Sequence, residues 1–250
     1  MKRIFTAILL LCGLLARAQE DAVLFRAQHQ TQWDEAGEYS TVHHAAWKNI
    51  CDFFEVDQRL AQAVVFPEMV RYNLFRDRME TAAVKGSYVS RGTKVFDFSI
   101  GRFQMKPSFA EGLEKRWMRS GFPEVYKAYF DTDDTQFARR ARIERLSDDM
   151  WQYVYLAMFI KLFYLDYGSV DKNGEWRQEG IESLPPEDQV RLLATAYNRG
   201  CRWVNPGVGP VEEIAARSTE HHFHLSFMPT ESTPRYVYGD IALLRWEELD

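Results

Sequence analysis

Glu68 stands at the end of an apolar helical stretch, LAQAVVFPE, with Val64, Val65 and Phe66 just before it and Met69 after it. A carboxyl group in such surroundings loses part of its hydration, which disfavours the charged form and raises its pKa. A glutamic acid that keeps its proton near neutral pH can protonate a leaving oxygen, the task of a general acid in glycosidic cleavage. The same local pattern suits a capping or ion-paired glutamate, so the weight falls on what accompanies it. Downstream, FSIGRFQMKPSF sets Gly101, Gln104 and Pro107 at a G-x-x-Q-x-x-P spacing that hydrophobic periodicity does not require, and TAYNRGCRWV follows on a later apolar run.

The elements that must position these residues read as mainly helical. From Asp57 to about Thr81 apolar residues recur at helical spacing, and Pro67 predicts a helix that ends or kinks near Phe66 and restarts beyond it. KGSYVSRGTKVFDFSIG, with its glycines and its β-branched and aromatic residues, predicts turns and a short hairpin. Pro107 suits the first turn of a helix running to about Arg119, and residues 120–146 read as short helices and loops. Ser147 is expected to cap DDMWQYVYLAMFIKLFYLDYG, which has acidic residues in its first turn and Gly168 at its end. Its apolar residues run almost all the way round, which predicts burial at the centre of the domain, while Lys161 and Asp166 argue against a membrane span. A loop over 168–183 leads to a helix opened by Pro185-Pro186-Glu187 and closed by Gly200, and short helices are expected over 210–217 and 234–248. The expected fold class is mainly α, with a central buried helix and at most a small β-hairpin.

Taken in order, these segments resemble the lytic transglycosylase and goose-type lysozyme family of peptidoglycan-cleaving enzymes. The family pattern is an apolar helix ending in the catalytic glutamate, a G-L-M-Q-x-x-P element, an A-Y-N-x-G element on a later helix, and an R-x-Y-V segment before the last helix. Here these correspond to LAQAVVFPE, Gly101 to Pro107, Ala196-Tyr197-Asn198-Arg199-Gly200, and Arg235-Tyr236-Val237. The resemblance implies a lysozyme-like fold and cleavage of the β-1,4 bond between N-acetylmuramic acid and N-acetylglucosamine in peptidoglycan glycan strands, without metal or organic cofactor. It implies Glu68 as the acid/base, Gln104 and Met105 lining the sugar groove, Tyr197 directing its hydroxyl towards Glu68, and Asn198 binding the glycan or holding the loop. The sequence departs from the family in having Pro67 before and Met69 after the glutamate, and in a longer gap to Gln104, which makes Glu80 a rival to Glu68. A transglycosylase works with one carboxylate; hydrolysis by inversion needs a second on the opposite face, and Asp97 is the residue placed to supply it, unless it caps a turn. The expectations are therefore a single-glutamate lytic transglycosylase, a hydrolytic lysozyme using Glu68 and Asp97, or an inactive cell-wall binding protein.

The remaining features bound the setting. MKRIFTAILLLCGLLARAQ has Lys2 and Arg3 before an apolar run and Ala16-Arg17-Ala18 at its end, which predicts a signal peptide over 1–18 and export to the periplasm or cell envelope, with no stable membrane insertion after cleavage. Residues 19–50 read as an extension with no assignable role, and 51–250 as the lysozyme-like domain. A net charge of −5 with interspersed signs gives no basis for nucleic-acid binding. Cys51 and Cys201 form either an export-compatible disulfide or a pair of buried thiols. His221-His222-Phe223-His224 does not have the spacing of a zinc site, and Trp117, Trp151 and above all Trp203 are candidates for sugar stacking.

Overall fold

In a computed structural model of the chain, residues 20–75, 82–94, 97–122, 124–167, 181, 184–201, 218, 221–225 and 230–249 are described. The expected signal peptide, Glu80, Trp203, the 168–183 loop apart from Ile181, and the 210–217 segment lie outside them. The fold is mainly helical with one small antiparallel sheet. Its helices are α1 (residues 20–28), α2 (Gln30–Val42), α3 (His44–Phe54), α4 (Gln58–Phe75), α5 (Ala82–Arg91), α6 (Pro107–Met118), α7 (Glu124–Lys127), α8 (Gln136–Leu146), α9 (Asp149–Tyr167), α10 (Pro186–Arg199) and α11 (Tyr238–Glu248). Strands β1 (His222–Phe223) and β2 (Tyr236–Val237) pair with His222 opposite Val237 and Phe223 opposite Tyr236.

Helix α9 is the buried centre that its all-round apolar character predicts. Tyr153, Leu156, Phe159, Ile160 and Phe163 on it are fully buried. Its N-cap sits one residue later than expected: the Asp148 carboxylate accepts from the Trp151 backbone N–H at 2.9 Å, while Ser147 Oγ accepts from Lys85. Helix α10 begins with Pro186 in its first turn and stops at Gly200, whose φ of 95° few side chains tolerate.

Helix α4 continues through Pro67 rather than ending near Phe66. Proline removes one ladder hydrogen bond and crowds the preceding turn, a cost that packing here offsets. Val64, Val65, Phe66, Met69 and Val70 are all fully buried, between α2, α10 and α11. The Tyr238 hydroxyl of α11 donates to the Val64 carbonyl at 3.3 Å, and the Glu68 backbone N–H faces the same hydroxyl. A side chain thus enters the ladder at the turn that proline loosens.

Residues 85–91 of the expected turn-and-hairpin region are helical instead, the second half of α5. Tyr88 explains this: it is fully buried against α6 and α8, donating to Glu111 Oε1 at 2.9 Å and accepting from Arg142 Nη1 at 2.7 Å. The hairpin-like feature falls later, where Ile100 and Met105 exchange backbone hydrogen bonds of 2.9 and 3.1 Å around a tight turn.

The segment from Ala22 to about Asn49 is also part of the core. Ala22, Phe25, Trp33, Ala36 and Trp47 belong to the same buried cluster as α4 and α9. Trp33 packs edge-on against Phe66 at 4.7 Å and donates through Nε1 to Glu248 at 3.1 Å. Cys51 and Cys201 are buried thiols that form no disulfide, and burial pushes the Cys51 pKa up to about 11.

Candidate active site

A cleft of about 480 Å³ opens where α4, the 97–106 segment and the end of α10 meet. Glu68, Asp97, Gln104, Met105, Tyr197 and Asn198 all line it. Glu68 lies in the middle of α4, only 4 % exposed, and burial raises its carboxyl above the ordinary glutamate range against the opposing pull of Arg71, Asn198 and Lys106. Asn198 Nδ2 donates to Glu68 Oε1 at 2.6 Å, and Arg71 Nη1 stands 3.5 Å from Oε2.

Gln104 reaches the cleft because of the turn before it. Gly101 (φ 67°) and Gln104 (φ 52°) both take left-handed backbone, which folds the G-R-F-Q segment into a loop closed by Gln104 N–H to the Gly101 carbonyl at 3.1 Å. Gln104 is 7 % exposed; its Nε2 donates to the Gly101 carbonyl at 2.8 Å, and its Oε1 has no partner among the described residues. Leaving that buried acceptor unpaired costs free energy, which a hydrogen-bond donor brought to it would recover.

Two side chains from neighbouring helices hold this loop. Gln152 of α9, fully buried, accepts from Phe103 N–H at 2.8 Å and donates to the Ile100 and Leu146 carbonyls at 3.0 and 2.5 Å. Tyr197 of α10 donates its hydroxyl to the Phe103 carbonyl at 2.6 Å. The tyrosine thus orients the loop rather than pointing its hydrogen bond at Glu68 as expected; the residue that touches Glu68 is its neighbour Asn198. A Cβ on Gly101 would lie 1.6 Å from Gln152 Nε2. Gly101→Ala is accordingly expected to cost about 2–4 kcal/mol, the sum of the left-handed backbone and the displaced amide, read as a lower denaturation midpoint in urea.

Asp97 is exposed, and both its oxygens serve α6: Oδ1 accepts from Ser108 N–H at 3.0 Å and Oδ2 from Ser108 Oγ at 2.7 Å. It caps that helix from outside while lining the cleft. Trp117 is core, stacked on Phe122 at 4.6 Å, and Trp151 packs among Tyr126, Tyr129 and Tyr155; neither lines the cleft. His222 is exposed, and among the described residues no His, Cys, Asp and Glu side chains gather to hold a metal ion. His221 instead meets Asn198, with Nε2 2.7 Å from Oδ1.

Arg71, Gln152, His221 and Tyr238 are the residues about the site that sequence reasoning missed. Gln152 carried a signal, as an uncharged polar residue inside an apolar helix, and Arg71 sits one turn beyond Glu68. His221 was visible only as part of a histidine cluster, and nothing local marked Tyr238. No family model matches the chain, and no curated protein or solved structure is detectably similar to it.

Proposed function

We propose that the protein is an exported lytic transglycosylase that cleaves the β-1,4 bond between N-acetylmuramic acid and N-acetylglucosamine in peptidoglycan, with Glu68 as its single acid/base. The observation that carries this reading is a carboxyl group buried on a helix yet lining an open cleft, beside the unpaired Gln104 Oε1. Burial favours the protonated form that the first step needs. Glu68 gives its proton to the glycosidic oxygen as the C1–O bond breaks. As carboxylate it then takes the proton of the muramic acid 6-hydroxyl, whose oxygen bonds to C1 and closes an anhydro ring. Glu68 ends protonated, ready for another turnover, and no water or cofactor is consumed.

The hydrolytic alternative needs a second carboxylate to activate water. Asp97 lines the same cleft, but the Ser108 backbone and hydroxyl occupy both of its oxygens. Asp97→Asn is therefore expected to leave an anhydro product and a rate within about threefold of wild type, with a stability loss of about 1 kcal/mol from the weakened cap.

The test is incubation of the purified protein with peptidoglycan sacculi and mass spectrometry of the soluble fragments. Anhydro-muropeptides support the proposal. Reducing ends lost in Asp97→Asn would make it a hydrolase, and binding without release would make it a wall-binding protein. Full activity in Glu68→Gln, with loss in Glu80→Gln, would move the acid/base to Glu80.

A further inference from the structure

We propose that His221 is a positioning residue for Glu68: by donating to Asn198 Oδ1 it fixes the side-chain amide so that Nδ2, and not Oδ1, faces the carboxyl group. This rests on Glu68 being the acid/base of the reaction proposed above. An asparagine amide has two ends of nearly equal size and opposite hydrogen-bonding sense. Turned one way, Asn198 donates to Glu68 Oε1 at 2.6 Å; turned the other, its oxygen would oppose a carboxylate oxygen at that distance. Only the first orientation stabilises the carboxylate that must form after proton transfer.

His221 supplies the choice. Its Nε2 lies 2.7 Å from Asn198 Oδ1, an atom that can only accept, so Nε2 carries the hydrogen. Both the neutral Nε2–H tautomer and the imidazolium satisfy that bond, so the contact orients Asn198 whichever state the ring is in. Burial and the charges of Arg199 and His222 hold the His221 pKa below its ordinary value, which keeps the ring neutral near pH 7. The His221 backbone is held beside the small sheet: the residue directly precedes β1, and its carbonyl accepts from Tyr238 N–H at 3.2 Å. The same residue, Tyr238, places its hydroxyl at the Val64 carbonyl on α4. The residues flanking the sheet, His221 before β1 and Tyr238 at the start of α11, thereby reach Glu68's surroundings by two routes, the Asn198 amide and the α4 backbone.

Two measurements that do not need turnover test this, with activity as a third. Nitrogen-15 NMR of labelled histidine in the full protein is expected to show His221 as the Nε2–H tautomer; an Nδ1–H tautomer would reverse the donor and overturn the proposal. Carbon-13 titration of the Glu68 carboxyl, assigned by its absence in Glu68→Gln, is expected to move upward in His221→Leu, because donation to the charged form is lost. It should return to the wild-type midpoint in His221→Gln, whose Nε2–H can replace the ring donor. On sacculi, His221→Leu is expected to lower kcat about tenfold, the equivalent of one charge-assisted hydrogen bond, with KM little changed, and His221→Gln to recover most of it. An unmoved Glu68 midpoint in folded His221→Leu would sink the idea; if that variant does not fold, the tautomer and the His221→Gln titration decide. Wild-type protein that releases nothing from sacculi would refute the reaction and leave the two NMR results to judge the relay.

Discussion

Replacing Glu68 by glutamine is expected to lower the rate of muropeptide release by about a thousandfold or more and, at the same time, to raise the unfolding temperature. The first effect follows from removing the proposed acid/base: glutamine keeps the size of the side chain and can still accept from Asn198 Nδ2, but it has no proton to give a leaving oxygen. The second follows from the cost of the buried charge. In the unfolded chain Glu68 titrates near its ordinary value of 4.5, and burial raises it in the fold. Between those two pKa values the native state holds a proton that the unfolded chain has released, so stability falls as pH rises through that interval. Below the unfolded pKa both states are protonated and glutamine gains nothing. Above the folded pKa the full cost of the carboxylate is present, and there the variant's advantage in Tm should be largest. Thermal unfolding at pH 4 and pH 8, with activity on sacculi, checks both. A Glu68→Gln variant less stable than wild type at pH 8 would mean that Arg71 and Asn198 more than compensate for desolvation.

What the sequence makes legible here is what local chemistry decides. Pro186 and Gly200 bound α10 because their backbones permit little else at those positions, and α9 is central because its apolar residues leave no face for water. Glu68, Gln104, Met105 and Asn198 line one cleft, a grouping that the family resemblance implies and that local spacing by itself does not dictate. Which of two adjacent residues reaches Glu68 is not readable. Tyr197 and Asn198 differ by about 100° around α10, and only the packing of that helix against α4 and the 97–106 segment decides that Asn198 turns to the carboxyl while Tyr197 meets the Phe103 carbonyl. Residues 85–91 mislead for a similar reason. Their glycine and β-branched residues suit turns and strands, but Tyr88 finds buried partners on α6 and α8 that no local window contains. The role of Ala22 to Asn49 is hidden too, because Trp33 and Trp47 announce burial without naming their partners, and those partners lie far along the chain.

Glu114→Ala should destabilise the fold by about 3–5 kcal/mol while leaving the site's own side chains intact. Glu114 is fully buried on α6 and holds two arginines of α8: its Oε2 accepts from Arg142 Nε and Nη2 at 2.9 and 2.7 Å, and its Oε1 from Arg145 Nη2 at 2.8 Å. Tyr155 of α9 also donates to Oε1, at 2.5 Å. Arg142 is 2 % exposed and Arg145 8 %, so removing the carboxylate strands two guanidinium groups that cannot shed their charge. Glu111 and the Tyr129 and Asp131 carbonyls would still satisfy some of their N–H groups, which keeps the cost from doubling. Arg142→Met should cost less, because Arg145 and Tyr155 still serve the remaining carboxylate. In urea, Glu114→Ala should lower the midpoint without changing the m-value, and for a chain of 250 residues the loss corresponds to about 10 °C in Tm. Well below that Tm its kcat should match wild type, since the network ties α6 to α8 and α9 without touching the Glu68, Asn198 and His221 chain. A loss under about 1 kcal/mol would show that water enters and solvates the arginines, and that the interior between these helices opens more readily than its burial implies.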